Sequence, residues 1–242
     1  MNKRHYIIPI FISHIGCPHQ CVFCNQDKIA KKVEEEVTAK DVRETIESYL
    51  KTIEHSNSTV EVSFFGGTFT AINVNKQKEL LSVAKEYKDK GLIDKIRMST
   101  RPDAINKYIL SYLKEYSVDI IELGVQSLDD EILKLSGRGH TSKDVEEASK
   151  LIKEYKFTLG HQIMPGLPGD TFEKDIETVN KSINMKPDIC RIYPALVIKD
   201  TPMEKMLQKG MLTLMNQEEY INLVCDQLEI LPETMIVHRL TG

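Results

Sequence analysis

The 242 residues are 41 % apolar and 28 % charged, the make-up of a globular protein that can bury a full core without disulfide staples. The net charge of −4, from 32 Lys and Arg against 36 Asp and Glu, lacks the basic bias of a dedicated nucleic-acid binder. No apolar run is long enough to span a bilayer, and the stretch from Tyr6 to Ile12 is too short for a signal-peptide core, so a cytoplasmic protein without membrane contact is expected.

In chain order, a first β-type run over 6–13 leads into Cys17-Pro18-His19-Gln20-Cys21-Val22-Phe23-Cys24. Lys28, Lys31 and Lys32 follow, balanced at once by Glu34, Glu35 and Glu36, which reads as a solvated segment. Thr38 is a candidate N-cap for a helix over 39–54, with apolar residues at Val42, Ile46, Tyr49, Leu50 and Ile53. Further β-type runs cover 60–65, 95–100, 119–125, 158–164 and 189–193. Helical spacing covers 75–88, 102–115, 142–155, 170–183 and 217–231, with Pro102 opening its helix behind a Thr100 cap. Six β-type runs alternating with helices predict an α/β fold with a parallel sheet, closed or partly closed as a barrel, in a single domain spanning 1–242.

The unusual residues gather where the strands end. Phe64-Phe65-Gly66-Gly67-Thr68 closes the second run and Thr100-Arg101-Pro102 the third. Glu122, Gly124 and Gln126 share one face of the fourth by alternation. Arg138 lies between two glycines, a pattern that taken alone reads as a surface turn. Alternation lets only one of His161 and Gln162 face inward, and Tyr193 reads equally as pocket lining or core. In barrels the C-terminal ends of the strands carry the active site.

The three clustered cysteines point to metal or redox chemistry. Cys190 and Cys225 stand alone in apolar segments and are expected to be buried and uninvolved. Three thiolates on a four-iron cubane leave one iron free for a small molecule, whereas zinc with His14 or His19 as a fourth ligand is the structural alternative.

The Cys-x3-Cys-x2-Cys spacing after a first strand, with Phe23 before the last cysteine, resembles the radical S-adenosylmethionine (SAM) signature. The resemblance implies a partial (β/α)6 TIM-type barrel and a [4Fe–4S] cluster on Cys17, Cys21 and Cys24. It further implies SAM at the open iron and reductive cleavage to a 5′-deoxyadenosyl radical. Phe23, Gly66, Gly67, Thr68, Thr100, Gln126, Arg138 and Gln162 would contact SAM, with Gln162 rather than His161 at the inward position. An external reductant such as flavodoxin or ferredoxin is also implied. The strings Glu122-Leu-Gly-Val-Gln-Ser127, Arg138-Gly-His-Thr141, Met164-Pro-Gly-Leu-Pro-Gly169 and Ile192-Tyr-Pro-Ala-Leu-Val197 resemble the core of the Elongator catalytic subunit, which acts on tRNA. A smaller resemblance, through Gly-Val-Gln-Ser and Gly-Leu-Pro-Gly, is to oxygen-independent coproporphyrinogen oxidases. The alternatives are a non-enzymatic iron–sulfur or zinc protein, and an oxidoreductase acting on porphyrin or another small molecule.

Overall fold

The computed structural model describes residues 4–12, 17–25, 36–54 and 57–241. Among them, seven strands form one sheet in the order β1-β2-β3-β4-β5-β6-β7, every neighbouring pair parallel. They are β1 (Arg4–Phe11), β2 (Ser58–Phe65), β3 (Lys95–Thr100), β4 (Ile120–Gln126), β5 (Thr158–Ile163), β6 (Ile189–Ile192) and β7 (Ile236–Arg239). The crossover helices are α1 (Ala39–Leu50), α2 (Val74–Asp89), α3 (Lys107–Glu115), α4 (Asp130–Leu135), α5 (Ser142–Glu154), α6 (Phe172–Asn184), α7 (Pro202–Gln208) and α8 (Gln217–Ile230). The sheet curls into a partial TIM-type barrel. His5 on β1 and His238 on β7 approach across the gap between the two edge strands, their ring centroids 6.3 Å apart.

Local signals set the helices. Thr38 caps α1 through a reciprocal box: its hydroxyl accepts from the Asp41 amide, and the Asp41 carboxylate accepts from the Thr38 amide at 2.8 Å. Val42 and Ile46, one turn apart, are the buried positions. Pro102 opens only a 3₁₀ turn (Pro102–Ala104), with Arg101 rather than Thr100 at the cap position. The expected single helix over 102–115 is broken because Asn106 is extended (φ −154°) and caps α3 by accepting from the Ile109 amide.

Strand β7 and the short helices α4 and α7 add to the elements expected from the sequence. β7 has four residues, none fully buried, so its hydrophobic signal reduces to Ile236 and Val237. Cys190 is buried, but Cys225 is exposed: α8 buries Leu223, Val224 and Gln227, and Cys225 falls off that face. Residues 28–35, His14 and Ser13, which figured in the sequence reading, lie outside the described residues.

The two faces of the sheet differ. Ile8, Ile10, Val60, Val62, Phe64, Ile96, Met98, Ile121 and Leu123 point outward into the helical layer and form its main apolar core. A smaller cluster of Ile163, Val179, Cys190, Ile192 and Val224 continues it at β5 and β6. The alternate residues face the barrel interior.

Candidate active site

One cavity of about 310 Å³ opens at the C-terminal ends of the strands. All three clustered cysteines line it, and so do Phe23, Gly66, Gly67, Thr68, Thr100, Gln126, Arg138 and Gln162. Phe65, Ser99, Arg101, Gly124, Met164, Arg191 and Tyr193 complete the wall.

The cysteine loop is held from two sides. The Val22 amide donates to Ser136 O (3.0 Å), and Val22 O accepts from the Met203 amide at the start of α7 (2.9 Å). Cys17 Sγ lies 3.2 Å from Thr68 Oγ1. Arg138 donates from Nη1 to Cys21 Sγ (3.3 Å) and from Nη2 to Gly124 O (2.6 Å). The Gly-Arg-Gly turn is therefore packed against the cysteines, not set out in solvent. A Cβ on Gly139 would sit 2.4 Å from the His19 ring, so that glycine is what lets the two loops meet. Burial pushes the Cys24 thiol up to about 11, and the neighbouring Cys21 and Cys17 add to the effect. As thiolates the cysteines would need positive charge beside them, and Arg138 provides one guanidinium at Cys21.

Gly66 has φ +106°, and a Cβ there would stand 2.5 Å from Ile12 O; no side chain fits. Gln126 sits at φ +68° next to a register shift between Gly124 and itself. That bulge turns the end of β4 toward the cavity. Its Oε1 is buried without a partner, as is Arg138 Nε. Thr100 reaches the wall with its hydroxyl engaged: Thr70 donates to Ala104 O, so Thr100 donates to Thr70 across 2.5 Å. A ligand can only donate to it. Gln162 lines the cavity, while His161 points to the helices, between Ser149 Oγ (2.9 Å) and Ser182 Oγ (2.8 Å). Arg101 pairs with Asp103 at 2.9 Å and donates to Arg138 O.

Beneath the cavity runs a buried ladder of charge absent from the sequence reading. Arg97 on β3 binds Glu61 on β2 through Nε (2.7 Å) and Nη2 (3.1 Å). Its Nη1 lies 3.6 Å from Glu122 Oε1 on β4 and donates to His238 Nδ1 at 2.9 Å. Glu122 Oε1 lies 2.5 Å from Arg191 Nε on β6. Burial pushes the Glu122 carboxyl up, with Arg191 and Arg97 working against it. The signal that would have found the ladder is a charged residue inside each of two buried strand runs, Glu61 and Arg97.

Among the described residues, no three His, Cys, Asp or Glu side chains, the three cysteines included, are drawn tightly enough together to hold a metal ion; the thiols share one cavity wall. His19, the described candidate for a fourth zinc ligand, instead lies 4.0 Å from Asp103. No helix among these residues is long and apolar enough to cross a membrane.

The radical SAM superfamily model matches residues 11–181, and a Radical_SAM C-terminal domain matches 187–242. The chain is 30 % identical to an uncharacterized protein of Methanocaldococcus jannaschii, over 99 % of this chain and 76 % of that one. It is 26 % identical to the tRNA uridine(34) acetyltransferase of Methanocaldococcus infernus, over 97 % of this chain but only 51 % of that one, so it spans about half the length of that relative. In structure it matches Elp3 of M. infernus with a TM-score of 0.78 at 24 % identity, covering 98 % of this chain and 57 % of that one. Coproporphyrinogen III oxidase (HemN) of Escherichia coli shares the fold more loosely, with a TM-score of 0.62 at 16 % identity over 94 % of this chain and 52 % of that one. With that fold, cysteine loop and breadth of match, the chain belongs to the radical SAM superfamily of enzymes and is similar to its Elongator branch.

Proposed function

We propose that the chain holds a [4Fe–4S] cluster on Cys17, Cys21 and Cys24, binds SAM beside it, and acts on a nucleotide of tRNA. The observation that carries the reading is the single cavity walled by the three thiols and by two buried, unpartnered polar atoms, Gln126 Oε1 and Arg138 Nε. Three cysteines on one cavity wall offer soft sulfur donors that suit an iron–sulfur cubane with one open iron. The orphaned polar atoms suit a polar ligand lying across the strand ends, since buried groups without partners are costly. Bound there, cluster and SAM supply one-electron cleavage of SAM and a 5′-deoxyadenosyl radical.

The residues of this chain do the rest. Arg138 offsets thiolate charge at Cys21. Gly66 and Gly67 leave backbone open to the methionyl end of SAM, beside Thr68. Gln126 and Gln162 supply directed hydrogen bonds from β4 and β5, Thr100 accepts one, and Phe23 packs at the rim. Stretch 1–242 serves as one core unit, in the cytoplasm, fed by a flavodoxin or ferredoxin as reductant. The tRNA reading is supported by the similarity to the tRNA uridine(34) acetyltransferase of M. infernus, matched along 97 % of this chain.

Anaerobic reconstitution tests this. The parent should bind about four irons per chain, and Cys→Ala at any of the three positions should abolish the intact cluster. Adding SAM should change the EPR signal of the reduced cluster. A spectrum indifferent to SAM would overturn the proposal.

A further inference from the structure

We propose that Arg191 and Tyr193 form an anchor for the phosphate group of the nucleotide substrate, positioned by Glu122 reaching over Gly160. The inference rests on the reading above that the molecule attacked is a nucleotide.

Three arginines and no carboxylate line the cavity, so an anion entering it meets guanidinium donors and no acid. The three differ in what they have left to give. Arg101 spends its fork on Asp103 and the Arg138 carbonyl. Arg138 spends both terminal nitrogens on Cys21 and Gly124. Arg191 has Nε against Glu122 and Nη1 donating to the Tyr193 hydroxyl at 3.1 Å, and among the described residues nothing takes Nη2. Its guanidinium carbon stands 5.4 Å from the Phe65 ring centroid, a platform that keeps the plane flat against the wall. The Tyr193 hydroxyl accepts from Arg191 and keeps its own hydrogen to donate. A guanidinium edge and a phenol hydrogen side by side make a two-donor site for a phosphate oxygen pair.

The arrangement is built, not incidental. Glu122 and Arg191 stand on strands separated by β5, with Glu122 opposite Gly160 and Arg191 opposite Gln162. A Cβ at position 160 would lie 2.6 Å from Glu122 Cγ, so only glycine leaves the corridor through which the carboxylate meets Arg191. Arg97 and Glu61 extend the pair into a ladder of two acids and two bases, which holds Glu122 in place from the other side. The ladder is neutral as a whole and ends, at the cavity, on a cation.

The test is anaerobic equilibrium dialysis on the reconstituted, SAM-loaded protein, with uridine 5′-monophosphate and uridine as probes and inorganic phosphate as competitor. The parent should prefer the monophosphate by about tenfold or more, as expected for a charged hydrogen-bonded pair, and phosphate should displace it. Arg191→Met should abolish the preference while SAM affinity stays within about twofold. Arg191→Lys keeps a charge beside Glu122, which protects the fold, yet lacks the planar fork and should lose most of the preference. Tyr193→Phe should reduce it by roughly threefold, one neutral hydrogen bond. Equal binding of the two probes, binding of neither, or an unchanged preference in both Arg191 variants would overturn the anchor. So would a tenfold loss of SAM affinity in Arg191→Lys with the monophosphate preference intact, because the guanidinium would then serve the SAM carboxylate. A parent that binds no SAM defeats the radical-SAM reading itself; a parent that binds SAM without discriminating the probes defeats only the anchor.

Discussion

The outer and inner faces of this sheet solve different problems with the same strands. Outward, Ile96, Met98 and Ile121 meet helices and are removed from water completely. Inward, on alternate residues, Glu61, Arg97, Glu122 and Arg191 are buried almost as deeply. Barrel interiors are commonly filled with branched apolar side chains, which need no partners. A buried ion ladder gains little net stability over such packing, because desolvation offsets most of the attraction. What it adds is direction: each charge has one acceptable position, and the last one faces the cavity. The fold thus gives up stability on the side that faces the site.

The sharpest way to break that contrast is to remove the middle of the ladder. Arg97→Met leaves Glu61 with only Ser63 and His5 and takes from Glu122 one of its two cations in a dry interior. Denaturant unfolding should record a loss of about 3–5 kcal/mol. Ile121→Val, one residue from Glu122 but facing the helices, should cost only about 0.5–1.5 kcal/mol. Adding Glu61→Gln to Arg97→Met should recover part of the loss, since the stranded charge is gone. If the two single variants cost the same, the inner charges are no more than space-filling.

The same contrast explains what was legible in the sequence. Period-two alternation and caps are local, so the Thr38 box could be read from adjacent residues. Alternation showed that only one of His161 and Gln162 faces inward, and the resemblance to the radical-SAM family chose Gln162. The cysteine spacing and Gly66–Gly67 after β2 were likewise visible in the chain. The ladder was not, because Glu122 meets Arg191 only through a gap left by Gly160 on the strand between them. Nor was the engagement of the Thr100 hydroxyl by Thr70, thirty residues away, or the left-handed turn at Gln126. These depend on register and on bulges, which a single strand's pattern does not contain.

Two buried histidines, one on each face, differ in the same way with an intermediate effect. His161, on the outer face between two serines, is pulled down to about 3 by burial alone. His238, on the inner face, is pulled down to about 4 by burial and then by Arg97, Arg191, His5 and Lys95. Both stay neutral in the fold while the unfolded chain takes up protons below its ordinary value of about 6.5. Stability from each is thus complete above pH ~6.5 and is lost as pH falls toward the folded value, by up to about 1.4 kcal/mol per pH unit. Unfolding of His161→Asn and His238→Asn measured against the parent should show that slope removed. The His238 window should close near pH 4, while the His161 window continues toward 3. Identical slopes in parent and variants would mean these rings titrate in the fold as they do in the unfolded chain.

The smallest effect concerns the two cysteines outside the loop. Cys190 neighbours Arg191 on β6, yet alternation turns it outward, into the cluster of Ile163, Val179, Ile192 and Val224. Burial pushes its thiol up to about 12, so it stays protonated and behaves as a small apolar side chain. Cys225 sits on the exposed side of α8. Cys190→Ala should cost about 1 kcal/mol through lost packing, and Cys225→Ser should fall within about 0.5 kcal/mol of the parent. Iron content after reconstitution should be unchanged in the double variant, because neither residue reaches the cavity that Cys17, Cys21 and Cys24 line. A drop in iron that Cys190→Ala alone reproduces would place a ligand on the outer face of β6, one residue from the proposed anchor, and would reverse the division of labour between the two faces at that strand.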